Sequence, residues 1–431
     1  MISDNIERKD GVLRFGGADV AKLAEKYGTP LYLYDEDRIR GNCRRLLSAA
    51  RREFGPGAEV LYASKAASFR EIYRIVADEG LWSDVVSRGE IATACSAGFD
   101  MSKTCFHSNN KTGEDIEYAL DRGVGYFAVD SEEELFALAC AAARRGKRQR
   151  ILLRITPGID PHTYEAVATG KVDSKFGFAV ATGQAERATA LALSLGNLEL
   201  CGFHCHVGSQ LFDASVQTQT ARIMTSFAAD MKDRFGYEAG ILDLGGGFGV
   251  RYTADQPSPD AASVIADIAS AVRSTAAERG LALPRIFIEP GRSVVADAGM
   301  MIYTVGSVKR IPGYKAYVSV DGGMTDNPRY ALYKSQYTFY LASRGSEAGE
   351  ESFTVAGRCC ESGDLLGENI PLPSDIRRGD LLACATAGAY QFAMSSNYNR
   401  APRPPVVMIR DGKDRLAVRG QTPEDTALWD V

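Results

Sequence analysis

Residues 60–80 read VLYASKAASFREIYRIVADEG. An apolar run ends at Lys65. Ser68 and Glu71 then form an S-x-x-E pair, and Phe69, Ile72, Tyr73 and Val76 mark one helical face before Gly80. This order predicts a buried strand, a turn and a capped amphipathic helix. Seven further apolar runs follow: WSDVVS (82–87), TCFHS (104–108), YFAVDS (126–131), ILLRIT (151–156), LCGFHCHV (200–207), GILDLGGG (240–247) and RIFIEPGR (285–292). Helical periods separate them. After YFAVD, for instance, Ser131 and Glu134 repeat the capping pair, Leu135, Leu138, Ala139 and Ala142 form the stripe, and Gly146 stops it. Eight such units predict an α/β chain folded as a closed (β/α)8 TIM-like barrel. A doubly wound open sheet is the alternative, but G-x-G-x-x-G does not follow the first strand.

Beyond residue 300 the pattern changes to YTVGSVKRI, AYVSVDGG, SFTVAGRCC, DLLACATAG, PPVVMIR and RLAVRG, with Gly and Pro between them. These runs predict a second, all-β domain of sandwich or barrel type. The expected division is 29–299 for the barrel and 1–28 plus 300–431 for the β-rich domain. TPLYLYD (29–35) suits a strand on either. One connection, GIDPHTYEAVATGKVDSKFGF (158–178), is long for a barrel loop, and loops of that length are usually functional or disordered.

Composition sets the outer bounds. The chain has 431 residues, 45% of them hydrophobic and 24% charged, and a net charge of -5, which argues against a nucleic-acid partner. The polar start MISDNIERKD does not read as a targeting peptide, and no apolar run is long enough to span a bilayer, so a cytoplasmic enzyme is expected. Nine cysteines without framework spacing fit a reducing compartment.

In a barrel of this kind chemistry lies at the C-terminal strand ends. The first ends in Lys65. A lysine there is ordinarily solvated, but a desolvated amine at a barrel mouth has a lowered pKa and can form a Schiff base. Gly245–Gly247, continuing as Phe248-Gly249, is either a tight turn or a loop whose bare N–H groups approach a phosphate. His204 and His206 form an H-x-H that would suit a metal. With only His107 and His162 left in the chain, no metal is expected. A flat imidazole can instead stack on an aromatic cofactor, and one of the two histidines would then be a core residue. Glu289 is a capping or ion-pairing acid, or the partner that keeps a pyridine nitrogen protonated. Together, a Schiff-base lysine, a ring stacker, a phosphate loop and an acid describe pyridoxal 5'-phosphate (PLP).

The motifs YASKA, HVGSQ, GGGFG, EPGRS, CESGD and GAY…SSNYN, in this order over about residues 28–410, resemble those of the barrel-type PLP decarboxylases of basic amino acids. Within that family the likeness is to the diaminopimelate-specific branch. The resemblance implies decarboxylation of meso-2,6-diaminopimelate to L-lysine, the last step of bacterial lysine synthesis. It implies Lys65 as the PLP lysine, His206 on the ring, and Glu289 at the ring nitrogen. Ser209, Gly247, Pro290, Gly291, Arg292 and Tyr390 would hold the cofactor, chiefly its phosphate. Arg292, Arg329, Tyr333, Tyr390 and Glu361 would hold the substrate, the arginines taking its distal carboxylate and Glu361 its distal ammonium. It further implies a head-to-tail homodimer with shared active sites, in which Cys360 donates a proton in the other subunit. If RCCESGD is extended, Cys359 faces away. The family commonly has proline where NPRYALY (327–333) has Tyr330, so a change in stiffness without loss of role is expected. Rival readings are a relative acting on ornithine, a D-amino acid or a carrier-linked substrate, a non-catalytic paralogue, and a metal hydrolase.

Overall fold

The computed structural model describes residues 1–159 and 172–431. Most of the long 158–178 connection, with His162, lies outside the described residues. The chain divides into two compact units, Cys43–Gly249 with Ser258–Ser293, and Met1–Asn42 with Val250–Pro257 and Val294–Val431.

The first unit is the expected barrel. Its strands are β1 (Glu59–Ala63), β2 (Trp82–Val85), β3 (Thr104–Phe106), β4 (Tyr126–Val129), β5 (Gln149–Thr156), β6 (Leu198–His204), β7 (Ile241–Asp243) and β8 (Arg285–Ile288). All neighbours run parallel, and Phe287↔Glu59 and Ile288↔Val60 join β8 to β1 and close the ring. Leu61, Cys105, Tyr126, Ala128, Leu152, Ile241 and Phe287 pack into one buried cluster, with Trp82 and Cys201 against it. These side chains fill the barrel as a solid layer. The site residues stand on top of it.

Local signals in the helices are partly as expected. Ser131 caps Glu132–Arg144 by accepting the Glu134 N–H at 3.2 Å. Glu134 does not return the bond to Ser131. Its carboxylate accepts the Asp130 N–H at 3.0 Å and pairs with buried Lys111 at 2.8 Å. Ser68 caps nothing: the helix begins at Arg70, Phe69 holds the cap position, and the Ser68 hydroxyl meets Tyr73 OH at 3.2 Å. A reciprocal capping box does occur at Thr112 and Asp115. Gly80 and Gly146 follow their helices with φ of +79° and +59°, the left-handed region that suits glycine at a helix end.

The second unit is built on a mixed sheet. Gly299–Arg310 is its spine: residues 299–302 pair with Leu31–Asp35, 300–304 with Leu381–Ala385, and 305–310 with Ala316–Val320. A register shift between Val305 and Ser307 lets one strand serve two sheet regions. Leu31–Asp35 also pairs in parallel with Val406–Ile409. The TPLYLYD segment, placed with the barrel in the 29–299 division, therefore belongs to this sheet. Leu31, Tyr32, Leu33 and Tyr34 read as a continuous apolar run because side chains on both faces of this strand are buried. Ile6–Lys9, Val12–Phe15 and Ala18–Asp19 form a separate small sheet. No helix among the described residues is long and apolar enough to cross a membrane.

Candidate active site

Side chains alternate along a strand, so the residues two beyond the buried barrel layer should face the mouth. From Trp82 that rule gives Asp84; from Cys105, His107; from Ala128, Asp130; from Leu152, Arg154; from Ile241, Asp243; and from Phe287, Glu289. On β1, Leu61 leads through Ala63 to Lys65. A bulge between Leu200 and Gly202 resets the phase of β6. His204 then falls in the same layer, beside Arg154 and Asp243 in the strand register.

Lys65 sits half-buried on the short 3-10 turn Ser64–Ala66 that follows β1. The Ser64 N–H donates to Asp84 Oδ1 at 2.9 Å. Burial raises the Asp84 carboxyl above its usual range, while the Lys65 cation pulls it the other way. His206 lies two residues past β6. Burial, with the Lys65 charge beside it, holds its imidazole well below the ordinary value, so it is neutral. The Gly246 N–H points at His206 Nδ1 at 3.3 Å, which leaves the proton on Nε2.

The glycine loop has no space for side chains. A Cβ on Gly245 would meet Cys205 O at 2.5 Å, one on Gly246 would meet Glu289 O at 2.1 Å, and one on Gly247 would meet Gly208 O at 2.5 Å. Gly245 and Gly247 also have φ of +66° and +89°. Gly291 is similarly closed in, with Ala63 Cβ at 2.8 Å. Beside it the Arg292 guanidinium donates to Ser209 Oγ at 3.0 Å, so two residues expected to bind phosphate and substrate do meet.

Glu289 is buried and flanked by two imidazoles. His107 Nε2 lies 2.7 Å from Oε1, and His204 Nε2 lies 3.1 Å from Oε2. Burial by itself would raise this carboxyl. The two histidines outweigh it and hold Glu289 well below the usual range. Asp243 is pushed well above its usual value by burial and by the Glu289 charge. Arg154, also buried, lies over the Phe176 ring at 4.0 Å, with Nε 3.8 Å from Asp130 Oδ1. Asp84, Asp130, Arg154 and Asp243 were not singled out from the motifs. The strand alternation just described is the signal that finds them.

In the β-rich unit Arg329 begins the short helix Arg329–Tyr333. Its guanidinium donates to Tyr252 OH and Tyr337 OH at 3.0 Å each and to Ser335 Oγ at 3.3 Å. The Tyr390 ring lies 5.7 Å from it. No carboxylate is within ion-pair distance among the described residues, and the buried Nε–H has no hydrogen-bond partner. Tyr390 adopts φ +60°, which is unusual for an aromatic residue and typical of residues held for function. Tyr333 is half-buried. Tyr330, in place of the usual proline, donates its hydroxyl to Glu368 at 2.6 Å and ties this helix to the strand Leu365–Pro373.

RCCESGD is a turn and not an extended strand. The Glu361 N–H returns to Cys359 O at 2.8 Å, and the Asp364 N–H to Glu361 O at 3.1 Å. The two thiols still differ. Cys359 is half-buried, its thiol pushed up to about 11 by burial and by Asp364. Cys360 is exposed, its N–H held by Asn399 Oδ1 at 3.0 Å, and Glu361 is exposed beside it.

The described residues around Lys65 fit a phosphorylated pyridine aldehyde: an amine, a neutral ring, a bare-backbone anion loop with an arginine, and a deep carboxylate. Residues 40–296 match the family described as the pyridoxal-dependent decarboxylase, pyridoxal binding domain. The chain is thus a PLP-dependent carboxy-lyase of the barrel type. It is 43% identical over 425 residues to the diaminopimelate decarboxylase of Bacillus subtilis, covering 99% of this chain and 96% of that one. The crystal structure of diaminopimelate decarboxylase from M. jannaschii in complex with L-lysine superposes with a TM-score of 0.91 at 34% identity, over 99% of this chain and 98% of that one. A lysine/ornithine decarboxylase from Vibrio vulnificus shares the fold at a TM-score of 0.75 and 24% identity. The chain belongs to the diaminopimelate decarboxylase family.

Proposed function

We propose that this protein decarboxylates meso-2,6-diaminopimelate to L-lysine and CO2, with Lys65 carrying PLP at the barrel mouth. PLP bound there supplies an electron sink for the charge left on the substrate's α-carbon as CO2 departs. The protein's own groups do the rest. His206, neutral, covers one face of the ring site and excludes water from it. The 245–249 loop, Ser209, Pro290, Gly291, Arg292 and Tyr390 anchor the phosphate. Glu289, an anion, holds a proton at the ring nitrogen.

Substrate choice rests on Arg329. A buried guanidinium surrounded by phenols, with one donor unmatched and no acid beside it among the described residues, is a receptor for a carboxylate. Diaminopimelate has a distal carboxylate; ornithine has none. Arg292 and Tyr333 assist, and Glu361 takes the distal ammonium. The α-carbon gains its proton from the Cys360 thiol, and the thiolate is reprotonated by solvent. Because Cys360 and Glu361 are exposed on a turn, they are suited to serve the site of a second subunit in a homodimer. None of the nine cysteines is in a disulfide, which supports a reducing cytoplasm.

The test is CO2 release from meso-diaminopimelate, with the LL isomer and ornithine as controls. Activity on ornithine equal to that on the meso isomer overturns the substrate assignment.

A further inference from the structure

Glu289 is more tightly held than a ring-nitrogen partner requires. Its N–H donates to Gly245 O at 2.8 Å, and each carboxylate oxygen faces a different imidazole. The backbone that carries each imidazole is fixed: His204 is a ladder residue of β6, and the His107 backbone N–H donates to Val85 O at 2.8 Å. Their rings meet edge-on with centroids 4.7 Å apart. The imidazole contacts serve neither the phosphate nor the substrate.

A metal does not explain the cluster. Ligands about 2.0–2.1 Å from a tetrahedral zinc stand roughly 3.3 Å apart. The 2.7 and 3.1 Å separations are both shorter than that, and the His204 contact is a hydrogen bond, which leaves no room for an ion between the paired atoms.

We propose that His107 and His204 are positioning residues for Glu289, one on each carboxylate oxygen, aiming it at the ring nitrogen of PLP and lowering its appetite for the shared proton. This rests on the reading of the barrel mouth as a PLP site. Burial brings His204 down to about 3, so it is a neutral Nε2–H donor, and its buried Nδ1 has no hydrogen-bond partner among the described residues. Asp243, with its carboxyl raised by burial and by Glu289, stays the uncharged acid, so the local negative charge rests on Glu289. A proton shared between a pyridine nitrogen and a carboxylate resides on the more basic atom. Donors to the carboxylate make it less basic, which keeps the proton on nitrogen, where an electron sink needs it. Without them, a buried carboxyl reclaims the proton.

The experiment reconstitutes the protein with PLP labelled with 15N in the ring. It records the nitrogen chemical shift and the PLP dissociation constant for His107→Leu, His204→Leu, His107→Gln and His204→Gln. The wild type should show a protonated ring nitrogen. Each leucine variant should move the signal toward the neutral pyridine and weaken PLP by about tenfold, the scale of one charge-assisted hydrogen bond. Each glutamine variant, whose amide can replace the Nε2 donor, should keep both values near wild type. Should a leucine variant fail to fold, asparagine, whose amide stops short of Glu289, takes its place in the comparison. Leucine (or asparagine) and glutamine variants giving the same shift and affinity overturn the clamp alone. A wild type that takes up no PLP overturns the reading of the site, and the clamp with it.

Discussion

Lys65→Ala is expected to abolish decarboxylation, since Lys65 directly follows the first barrel strand and its charge acts on the buried carboxyl of Asp84. Borohydride reduction of the wild type should leave a pyridoxyl group on Lys65, and mapping it to another lysine would remove the assignment. Arg329→Ala should weaken meso-diaminopimelate by about 2–5 kcal/mol, the cost of breaking one side of a desolvated charged pair. A substrate without the distal carboxylate should lose far less. Equal losses on both would make Arg329 structural. Cys359→Ala should retain most activity while Cys360→Ala loses most of it, as read by steady-state CO2 release. The contrast follows from surroundings: a half-buried thiol raised to about 11 beside Asp364, against an exposed one.

Caps are settled between elements, and the S-x-x-E pairs show how. Ser68-x-x-Glu71 has the right letters, yet the chain enters its helix one residue later and spends Ser68 on Tyr73. Thr112-x-x-Asp115 closes a full box with a shorter acid. Thr112→Ala should therefore cost about 1 kcal/mol, and Ser68→Ala less than about half of that, compared by denaturant midpoint. A larger loss at Ser68 would contradict the observed cap. The strand Leu31–Asp35 makes the same point for sheets. Its apolar run suits any two-sided position, and only pairing with Gly299–Ile302 and Val406–Ile409 selects one.

For the whole molecule, the proposed sharing of Cys360 and Glu361 between subunits gives a direct mixing test. Lys65→Ala and Cys360→Ala homodimers should each have little or no activity, but a mixed dimer would have one site with both defects and one with neither. With half the dimers mixed, about a quarter of all sites should regain activity, by counting on a two-fold assembly. If exchange is demonstrated and no activity returns, Cys360 acts within its own chain or not at all. The strand–helix alternation, the glycine loop, Lys65 and Glu289 were legible in the sequence because each leaves a local mark: a period, a turn that only glycine allows, or a charged residue closing an apolar run. The seven apolar runs after residue 80 all became strands of the barrel. The roles of His107, His204, Asp84 and Asp243 left no such mark. They stand on separate strands, up to about 160 residues apart in the chain, and they meet only once the barrel closes. Which carboxyl is charged and which neutral was decided there as well. Burial raises Asp243 and Glu289 alike, and only the two imidazoles that the closed barrel brings to Glu289 select it as the anion of that pair.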